Sequence, residues 1–341
     1  MEYRRLGKSG LRVSVLSFGT ATFGGSNDFF KAFGATQVDA ARRLIDICLD
    51  HGINLFDSGD NYSDGMAEQI LGDAIKGKRN RLLISTKMTL PTGAGPNDYG
   101  SSRHHLPHAV DKALKRLGTD HIDLLQLHTQ DSNTPVEETL HTLDQIVRSG
   151  KVNYIGCSNF AGWHLMKSLA TSDRYGYPRY IAQQVYYSLL NRDYEWELMH
   201  LGREEGVGAL VWSPLASGKL SGKIRRDKPA QPGTRVHDLA GHGAGFDDER
   251  LFRIIDVLDA ISKETGKTVA QVALNWLTRT SGVSSIIVGA RTEQQLIDNL
   301  GAVGWKLTDD QAARIAEAST TAPSYPFWFQ RDFSMMNDAG W

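Results

Sequence analysis

The sequence predicts a single α/β domain with a closed (β/α)₈ barrel, the TIM-barrel architecture. About eight short apolar runs alternate with longer amphipathic segments along almost the whole chain. The runs are apolar without strict alternation, as expected for parallel strands that are covered on both faces. No linker or low-complexity tract divides the 341 residues. We therefore expect one domain over residues 1–341.

The predicted elements alternate in chain order. The strands cover residues 15–18, 54–56, 82–85, 122–127, 154–157, 181–185, 209–212 and 285–288. The helices cover residues 37–50, 66–75, 107–117, 136–149, 162–170, 194–205, 247–265 with 269–278, and 293–300. Apolar positions three and four apart support the helices, as in Leu140, Leu143, Ile146 and Val147. An open doubly wound sheet is the competing architecture, but FGTATFGG after the first strand lacks the G-x-G-x-x-G spacing typical of it.

Three segments do not follow the alternation. Residues 1–13, around KSG, predict a small β-hairpin that caps one end of the barrel. Residues 213–246 are rich in Gly, Pro, Lys and Arg, and residues 319–341 form an aromatic C-terminal tail. Loops of this length inside a compact domain are usually functional or disordered. Because residues 213–246 follow a strand, we expect this long loop to lie over the C-terminal face, where barrels carry their active sites.

Composition narrows the class of protein. The net charge is −1 and the Lys and Arg residues are scattered, so no nucleic-acid footprint is visible. Cys48 and Cys157 have no metal-binding spacing and fit a reducing compartment. The N-terminus lacks the apolar stretch of a signal peptide, and no run approaches the roughly 18 apolar residues of a membrane span. These features predict a cytoplasmic protein, and by elimination an enzyme.

Polar residues at the ends of apolar strands are the candidates for chemistry. Asp57, Lys87 and His128 each come at the end of a predicted strand, and Tyr62 lies in the loop after the first of them. Taken singly, Asp57 is typical of a turn residue, Tyr62 of a surface side chain and His128 of a partly buried core residue. A lysine in such a position needs a carboxylate partner, and Asp57 is available. In a barrel all four side chains share one mouth, which favours a functional site.

The sequence resembles the aldo-keto reductases over nearly its whole length. The resemblance is carried, in order, by YRRLGKSGLRVSVLSFGT, FDSGDNYSDGMAEQILG, LLISTK, DLLQLH, GKVNYIGCSNF, QQVYYSLLNR, VWSPLASGKLSGK and IIVGARTEQQLIDNL. It implies a (β/α)₈ barrel that binds a nicotinamide cofactor without a Rossmann domain. It also implies a catalytic tetrad of Asp57, Tyr62, Lys87 and His128. Tyr62 would donate the proton, Lys87 would favour its release, Asp57 would hold Lys87, and His128 would orient the carbonyl and could assist protonation.

The resemblance implies NADPH as the cofactor and no metal. Trp212 stands where the family usually has a tyrosine against the nicotinamide, and spacing favours Gln184 over Gln183. Backbone amides of residues 213–222 would wrap the pyrophosphate, and Arg291 would hold the 2′-phosphate. Asp298 stands where the family often has a glutamate. The implied cofactor contacts are Gly19, Thr20, Asp57, Ser158, Asn159, Gln184, Trp212, Ser213, Pro214, Leu215, Gly218, Lys219, Gly289, Arg291, Gln295 and Asn299.

Aromatic loops suggest the substrate class. Phe23, Phe29, Met88 and Trp328 are the candidate substrate contacts, and they suit a bulky or polycyclic ketone, although the same aromatics would also pack the loop onto the barrel. The predicted activity is reversible NADPH-dependent reduction of an aldehyde or ketone, with no nucleic-acid or membrane partner and with homo-oligomerisation left open.

Two other functions compete with the reductase. The first is a nucleotide-sensing regulatory module of a membrane protein, because potassium-channel β-subunits resemble the same family. The lack of an extended N-terminal segment speaks against that module. The second is a metal-dependent lyase or hydrolase, which would need more carboxylate and histidine ligands than Asp57 and His128 provide.

Overall fold

The computed structural model describes residues 1–238 and 247–333. Its centre is a closed barrel of eight parallel strands, with neighbours in the order β10-β3-β4-β5-β6-β7-β8-β9. The strands are β3 (Leu16–Gly19), β4 (Leu55–Asp57), β5 (Leu83–Met88), β6 (Ile122–Leu127), β7 (Val152–Ser158), β8 (Ala182–Tyr186), β9 (Gly208–Trp212) and β10 (Val283–Val288). This confirms the predicted (β/α)₈ barrel.

The predicted N-terminal hairpin is also present. Strands β1 (Tyr3–Arg5) and β2 (Arg12–Ser14) pair antiparallel, outside the barrel sheet. Leu6 and Val13 are fully buried in a cluster with Leu55, Leu124 and other residues from the barrel strands. The hairpin therefore places apolar side chains against one end of the barrel and leaves the opposite end, where the strands terminate, for the site.

Most of the helices surround the barrel and bury apolar side chains against it, whereas the short helices at residues 235–238 and 327–332 bury no residue. They are α1 (Asp28–Phe33), α2 (Val38–Asp50), α3 (Met66–Ala74), α4 (His105–Leu117), α5 (Val136–Arg148), α6 (Gly162–Tyr175), α7 (Leu198–Glu205), α8 (Arg235–Asp238), α9 (Asp248–Thr265), α10 (Val269–Thr278), α11 (Glu293–Leu300), α12 (Asp309–Ser319) and α13 (Phe327–Asp332). In α2, for example, Leu44, Ile45 and Cys48 are fully buried while the intervening charged residues face outward. Within the described part of the chain, no helix is both long enough and apolar enough to cross a membrane.

Several elements differ from the sequence prediction. Helix α7 begins at Leu198 rather than at position 194, because residues 193–195 form a 3₁₀ turn whose buried Tyr194 packs against Tyr187. Strand β5 runs on to Met88, so Lys87 lies inside the strand rather than after it.

Helices α1, α8, α12 and α13 are additional to the prediction. Three of them are too short to show periodicity, whereas α12 has a capping box between Thr308 and Gln311 that marks its start. The predicted long loop and the predicted tail are described only in part, since residues 239–246 and 334–341 lie outside the described residues.

Candidate active site

An ion pair joins two barrel strands at the mouth. Lys87 donates from Nζ to Oδ2 of Asp57 at 2.5 Å, and both side chains are almost completely buried. The ammonium also donates to the carbonyl oxygen of Ser58 at 2.8 Å. Burial lowers the pKa of Lys87, but the Asp57 carboxylate and the Tyr62 hydroxyl raise it more, so the net pKa is above the ordinary value. The carboxylate predicted for this buried lysine is therefore in place and keeps it charged.

The second oxygen of Asp57 is held by three side chains. Oδ1 accepts hydrogen bonds from Ser85 Oγ at 3.1 Å, Gln126 Nε2 at 3.3 Å and Gln184 Nε2 at 2.9 Å. Sequence reasoning did not select Ser85 or Gln126. A signal was present, because each lies two positions before a candidate residue, Lys87 or His128, in a strand that is otherwise mostly apolar. These donors fix the carboxylate, which in turn fixes Lys87.

Tyr62 reaches the ion pair from a tight turn. Ser63 and Asp64 have positive φ values of 49° and 57°, an uncommon backbone for residues other than glycine, and Gly65 follows at 88°. The turn brings the Tyr62 hydroxyl to 3.2 Å from Lys87 Nζ, which donates to it. Burial raises the pKa of the Tyr62 hydroxyl, and the Lys87 ammonium acts in the opposite direction. The net pKa lies above the ordinary value, so Lys87 offsets only part of the effect of burial.

His128 completes the group. Its ring packs edge-to-face on the Tyr62 ring, with 5.7 Å between ring centroids. Nδ1 is buried and has no hydrogen-bond partner among the residues described. Burial and the positive charge of Lys87 lower the pKa of His128 to about 3, so the imidazole is neutral at physiological pH. A neutral imidazole can orient a ligand oxygen through an N–H group, but it is not an effective acid here.

A second cluster continues from this group across the barrel mouth. Asn159, with φ of 55°, donates from Nδ2 to the carbonyl oxygen of His128 and to Ser158 Oγ, both at 3.0 Å. Its Oδ1 accepts from Trp212 Nε1 at 3.0 Å. The Trp212 ring is stacked on Tyr186, with centroids 4.6 Å apart. Thus Asn159 links the main chain of His128 to the Trp212 ring.

The loop after β9 has an unusual backbone. Ser213, Ala216, Ser217 and Gly218 all have positive φ, between 47° and 101°. Ser213 Oγ accepts a hydrogen bond from the Ser217 amide at 3.0 Å, which helps to hold the turn. The amides of Ala216 and Gly218 also donate within the loop, to the carbonyl oxygens of Ser213 and Leu215, both at 2.9 Å, so the turn is held by its own hydrogen bonds.

Two arginines, Arg235 and Arg291, lie side by side at the carbonyl oxygen of Phe33. Arg291 donates to the carbonyl oxygens of Ala32 (2.7 Å), Phe33 (3.1 Å) and Gly233 (3.4 Å). Arg235 donates to the same Phe33 oxygen at 3.2 Å, and burial together with Arg291 lowers its pKa to about 10. Neither guanidinium forms an ion pair with a carboxylate of the described residues. Arg291 contributes to lowering the pKa of the nearby Asp238 carboxyl group, but neither arginine has a carboxylate in direct contact within the described part of the chain, and two such neighbouring cations suit an anionic ligand. Sequence reasoning missed Arg235, because the four-residue helix α8 that it begins is too short to show periodicity.

Comparison with known proteins assigns the chain. Residues 15–320 match the family described as "Aldo/keto reductase family". The chain belongs to the aldo/keto reductase family. An uncharacterized oxidoreductase of Bacillus subtilis, YrpG, is 38% identical over 314 residues, which cover 89% of this chain and 91% of the relative. A protein named probable voltage-gated potassium channel subunit beta from Arabidopsis thaliana is 36% identical over 309 residues, with the same coverage. A rice protein of the same name is 34% identical over 309 residues, again covering 89% of this chain and 91% of the relative.

The other residues predicted to contact a cofactor in this aldo/keto reductase lie partly in the barrel strands and partly in the segments that follow them. Thr20 is fully buried and its hydroxyl bonds within the barrel. Gln295 accepts from the Arg291 amide at 2.9 Å, and Asn299 donates to the carbonyl oxygen of Gly289 at 3.3 Å. Gly19 is paired in register with Asp57. Gln184 faces Asp57 in the barrel, whereas Gln183 donates to Leu198 of α7. Pro214, Leu215 and Lys219 belong to the loop after β9, and their contacts with a cofactor stay predictions.

The predicted substrate contacts of this aldo/keto reductase do not all reach the mouth. Phe23 is fully buried against Phe18, and Met88 is also fully buried, so neither offers exposed surface to a ligand in this structure. Phe29 of α1 and Trp328 of α13 are exposed. The aromatic side chain beside the site is Phe30, whose ring centroid lies 6.3 Å from that of Tyr62.

Potential metal ligands do not cluster in the described ranges. Residues 1–238 and 247–333 contain no group of three or more His, Cys, Asp or Glu side chains placed to hold a metal ion.

Proposed function

We propose that this chain is an NADPH-dependent carbonyl reductase that interconverts an aldehyde or ketone and the alcohol. The observation that carries the proposal is the contact of a buried, carboxylate-paired Lys87 with the Tyr62 hydroxyl at 3.2 Å. Bound NADPH supplies the hydride for this chemistry. The arrangement of the protein's own residues supports the accompanying proton transfer.

Each residue of the group has a defined task in the proposed reaction. Tyr62 donates its hydroxyl proton to the carbonyl oxygen as negative charge develops there, and the Lys87 ammonium stabilises the phenolate that remains. Asp57 keeps Lys87 charged and in position. His128 orients the same oxygen by donating a hydrogen bond; its low pKa argues against a role as a second acid. In the oxidative direction the tyrosine phenolate accepts the proton.

The cleft supports NADPH rather than NADH. Arg291 and Arg235 are adjacent cations without carboxylate partners among the described residues, and the 2′-phosphate would supply the missing negative charge. We place the pyrophosphate beside the loop after β9 because the aldo/keto reductase motif at residues 213–222 lies there. We place the nicotinamide beside Asn159, Ser158 and Trp212, which are joined by hydrogen bonds. The polar side chains would bond its carboxamide, and the Trp212 ring would stack on its ring. An oxygen of the 2′-phosphate would take the place of main-chain carbonyl oxygens that now accept hydrogen bonds from Arg291.

The substrate class, the cellular location, the partners and the oligomeric state are also proposals. Phe30 beside Tyr62 supports an apolar carbonyl compound, and a bulky or polycyclic ketone is the class that we propose. The free, buried Cys48 and Cys157 support a cytoplasmic location, where thiols stay reduced. We propose no nucleic-acid or membrane partner. Self-association into a homo-oligomer is a further proposal, to be measured by light scattering.

Relatives named probable voltage-gated potassium channel subunit beta match over most of this chain, so family membership does not separate an enzyme from a regulatory module of a membrane protein. The assembled proton-transfer group favours the enzyme. The test is a screen of purified protein with NADPH against aliphatic aldehydes, aromatic aldehydes, steroid-like ketones and keto-sugars, with cofactor oxidation followed at saturating substrate. Turnover that disappears in Tyr62→Phe supports the reductase. Tight NADPH binding without turnover on any of these classes would overturn it.

A further inference from the structure

Asp60 is a buried carboxyl group to which the proposed reaction assigns no task. It lies between Asp57 and Tyr62 in the chain and is only 2% exposed. Its main-chain amide donates to the carbonyl oxygen of Lys87 at 3.0 Å, which fixes the residue against β5. Neither oxygen of its carboxyl group has a hydrogen-bond partner of good geometry within the described ranges of the chain, and the nearby Asn61 amide lowers its pKa by less than burial raises it. An ionised carboxylate in such a place would be very costly.

The cations nearest to Asp60 are already paired with other carboxylates. On α4, Arg116 donates from Nε to Glu68 Oε2 at 2.7 Å, and the buried Glu68 of α3 also accepts from Thr86 Oγ1 at 2.5 Å. On β5, Lys87 is paired with Asp57 of β4. The charged groups that face Asp60 are therefore Glu68, Arg116, Lys87 and Asp57, with the titratable Tyr62 on its own turn.

The charges in this cluster do not balance if every group is ionised. Three carboxyl groups, those of Asp57, Asp60 and Glu68, share two cations, Lys87 and Arg116. Both cations are hydrogen-bonded to the other two carboxylates, so Asp60 is the group left without a counter-charge. One bound proton on Asp60 makes the buried cluster neutral. Burial, and then the negative charge of Glu68, raise the pKa of Asp60 to about 8, in agreement with this charge count.

We propose that Asp60 is a positioning residue that holds a proton at neutral pH and, when it loses that proton to solvent, weakens Tyr62 as a proton donor. The proposal rests on the proposed reductase function. A neutral Asp60 leaves the ammonium of Lys87 to act undiminished on the Tyr62 hydroxyl. An ionised Asp60 places a second negative charge near that hydroxyl, which raises the pKa of Tyr62 and disfavours proton release.

The sign of the pH dependence follows from this arrangement. Below about pH 8 Asp60 is neutral and reduction proceeds at its full rate. Above about pH 8 Asp60 ionises and the rate of reduction falls to a lower plateau. At an effective dielectric constant of about 20, a charge several ångströms from the hydroxyl changes its acidity enough for a fall of about fivefold in kcat.

The experiment compares the wild type with Asp60→Asn, which keeps the shape of a neutral carboxyl group. The readout is kcat for reduction at saturating NADPH and substrate between pH 6 and pH 10. We expect the ratio of kcat at pH 7 to kcat at pH 9.5 to be about fivefold larger in the wild type than in Asp60→Asn. A purely structural Asp60 would change kcat by the same factor at every pH, which would overturn the proposal. Asp144→Asn, a mostly buried aspartate paired with Arg148 on α5, is the matched control and should keep the wild-type profile.

A second variant tests the coupling to Glu68. Glu68→Gln removes the negative charge that helps Asp60 to keep its proton, so the midpoint of the alkaline fall should move to lower pH by about one unit or more. An unmoved midpoint would contradict the electrostatic coupling and with it the proposal.

Infrared spectroscopy of the same proteins does not depend on turnover. The protonated carboxyl band of Asp60 should be present in the wild type at pH 7, lost by pH 9.5 and absent from Asp60→Asn. If the wild type reduces no carbonyl compound, the reductase proposal fails, while this band still reports whether Asp60 holds a proton. If reduction is seen but the band is missing at pH 7, only the Asp60 proposal fails. Should Asp60→Asn not fold, the band in the wild type and in Glu68→Gln decides.

Discussion

Gln184 donates a hydrogen bond of 2.9 Å from Nε2 to Oδ1 of Asp57, although the two residues are 127 positions apart in sequence. The contact crosses the barrel from β8 to β4. Gln184 is predicted as a cofactor contact, yet in this structure one of its amide protons orients the carboxylate that pairs with Lys87. A side-chain amide has a second N–H and a carbonyl oxygen, so both tasks fit one residue. In the proposed reductase, the group around Lys87 and the cofactor site would therefore share a side chain.

Replacement of the proposed acid tests the chemistry most directly. Tyr62→Phe keeps the ring but removes the proton donor, and we expect kcat for reduction to fall about 10²- to 10⁴-fold. NADPH binding, measured by fluorescence titration, should change little. The exposed Tyr99→Phe is the matched control for loss of a phenol and should retain normal turnover. Retention of turnover in Tyr62→Phe would refute the assignment.

The Asp57–Lys87 pair predicts a non-additive effect on stability. Lys87→Met leaves a buried carboxylate without its cation, and we expect the free energy of unfolding to fall by about 3–5 kcal/mol. The double variant Asp57→Asn with Lys87→Met should be more stable than the sum of the single changes implies, because no buried charge remains. Urea denaturation of Lys87→Met, of Asp57→Asn and of the double variant measures the three changes in the free energy of unfolding. Lys151→Met, which breaks an exposed pair with Asp111, should cost about 1 kcal/mol or less.

The two neighbouring arginines predict selectivity between cofactors. Arg291→Ala and Arg235→Ala should each weaken NADPH binding about 10- to 100-fold, because a charge-assisted hydrogen bond to phosphate is lost. NADH, which lacks the 2′-phosphate, should bind nearly as before. Isothermal titration calorimetry with both cofactors measures the ratio. The exposed Arg226→Ala, whose partner is Glu249, serves as the control. An equal loss for NADH and NADPH would show that neither arginine holds the phosphate.

Neutral His128 predicts a loss of stability in acid. Burial and Lys87 lower the pKa of His128 to about 3, whereas the unfolded chain takes up a proton near pH 6.5. The contribution of His128 to stability is thus complete above about pH 6.5 and is lost as the pH falls towards 3. Between pH 6 and pH 5 the unfolding constant of the wild type should rise about tenfold relative to that of His128→Asn. Urea denaturation at each pH measures this.

The control for this acid effect is His108→Asn, on the exposed surface of α4, which should follow the wild type. Parallel curves for the wild type and His128→Asn would contradict the low pKa.

Local patterns of sequence predicted much of the site. Asp57, Lys87 and His128 stand out because each interrupts an apolar strand near its end, and parallel strands bring such ends to one face. The pairing of Lys87 with a carboxylate followed from the cost of burying an ammonium alone. The run of Ser, Asp and Gly predicts a tight turn at residues 62–65, but it does not predict the positive φ values of Ser63 and Asp64.

Other features depended on contacts between distant segments. Gln126 meets Asp57 because β5 and β6 pair with Lys87 opposite Gln126, and this register is set by closure of the barrel. Arg235 lies near Arg291 because both donate to the carbonyl oxygen of Phe33, and Arg291 also donates to Gly233 in the segment before Arg235. Phe30 of α1 lies beside Tyr62, whereas Phe23 precedes that helix and is fully buried against Phe18.

The sequence by itself therefore determined the barrel, its hairpin cap and the positions of the residues proposed for proton transfer, since burial and strand period are recorded locally along the chain. Only the tertiary structure decided which oxygen of Asp57 meets which donor, that His128 is neutral, and that Asp60 has no counter-charge. Those properties depend on desolvation and on distances between side chains from different strands, and both are set when the barrel closes.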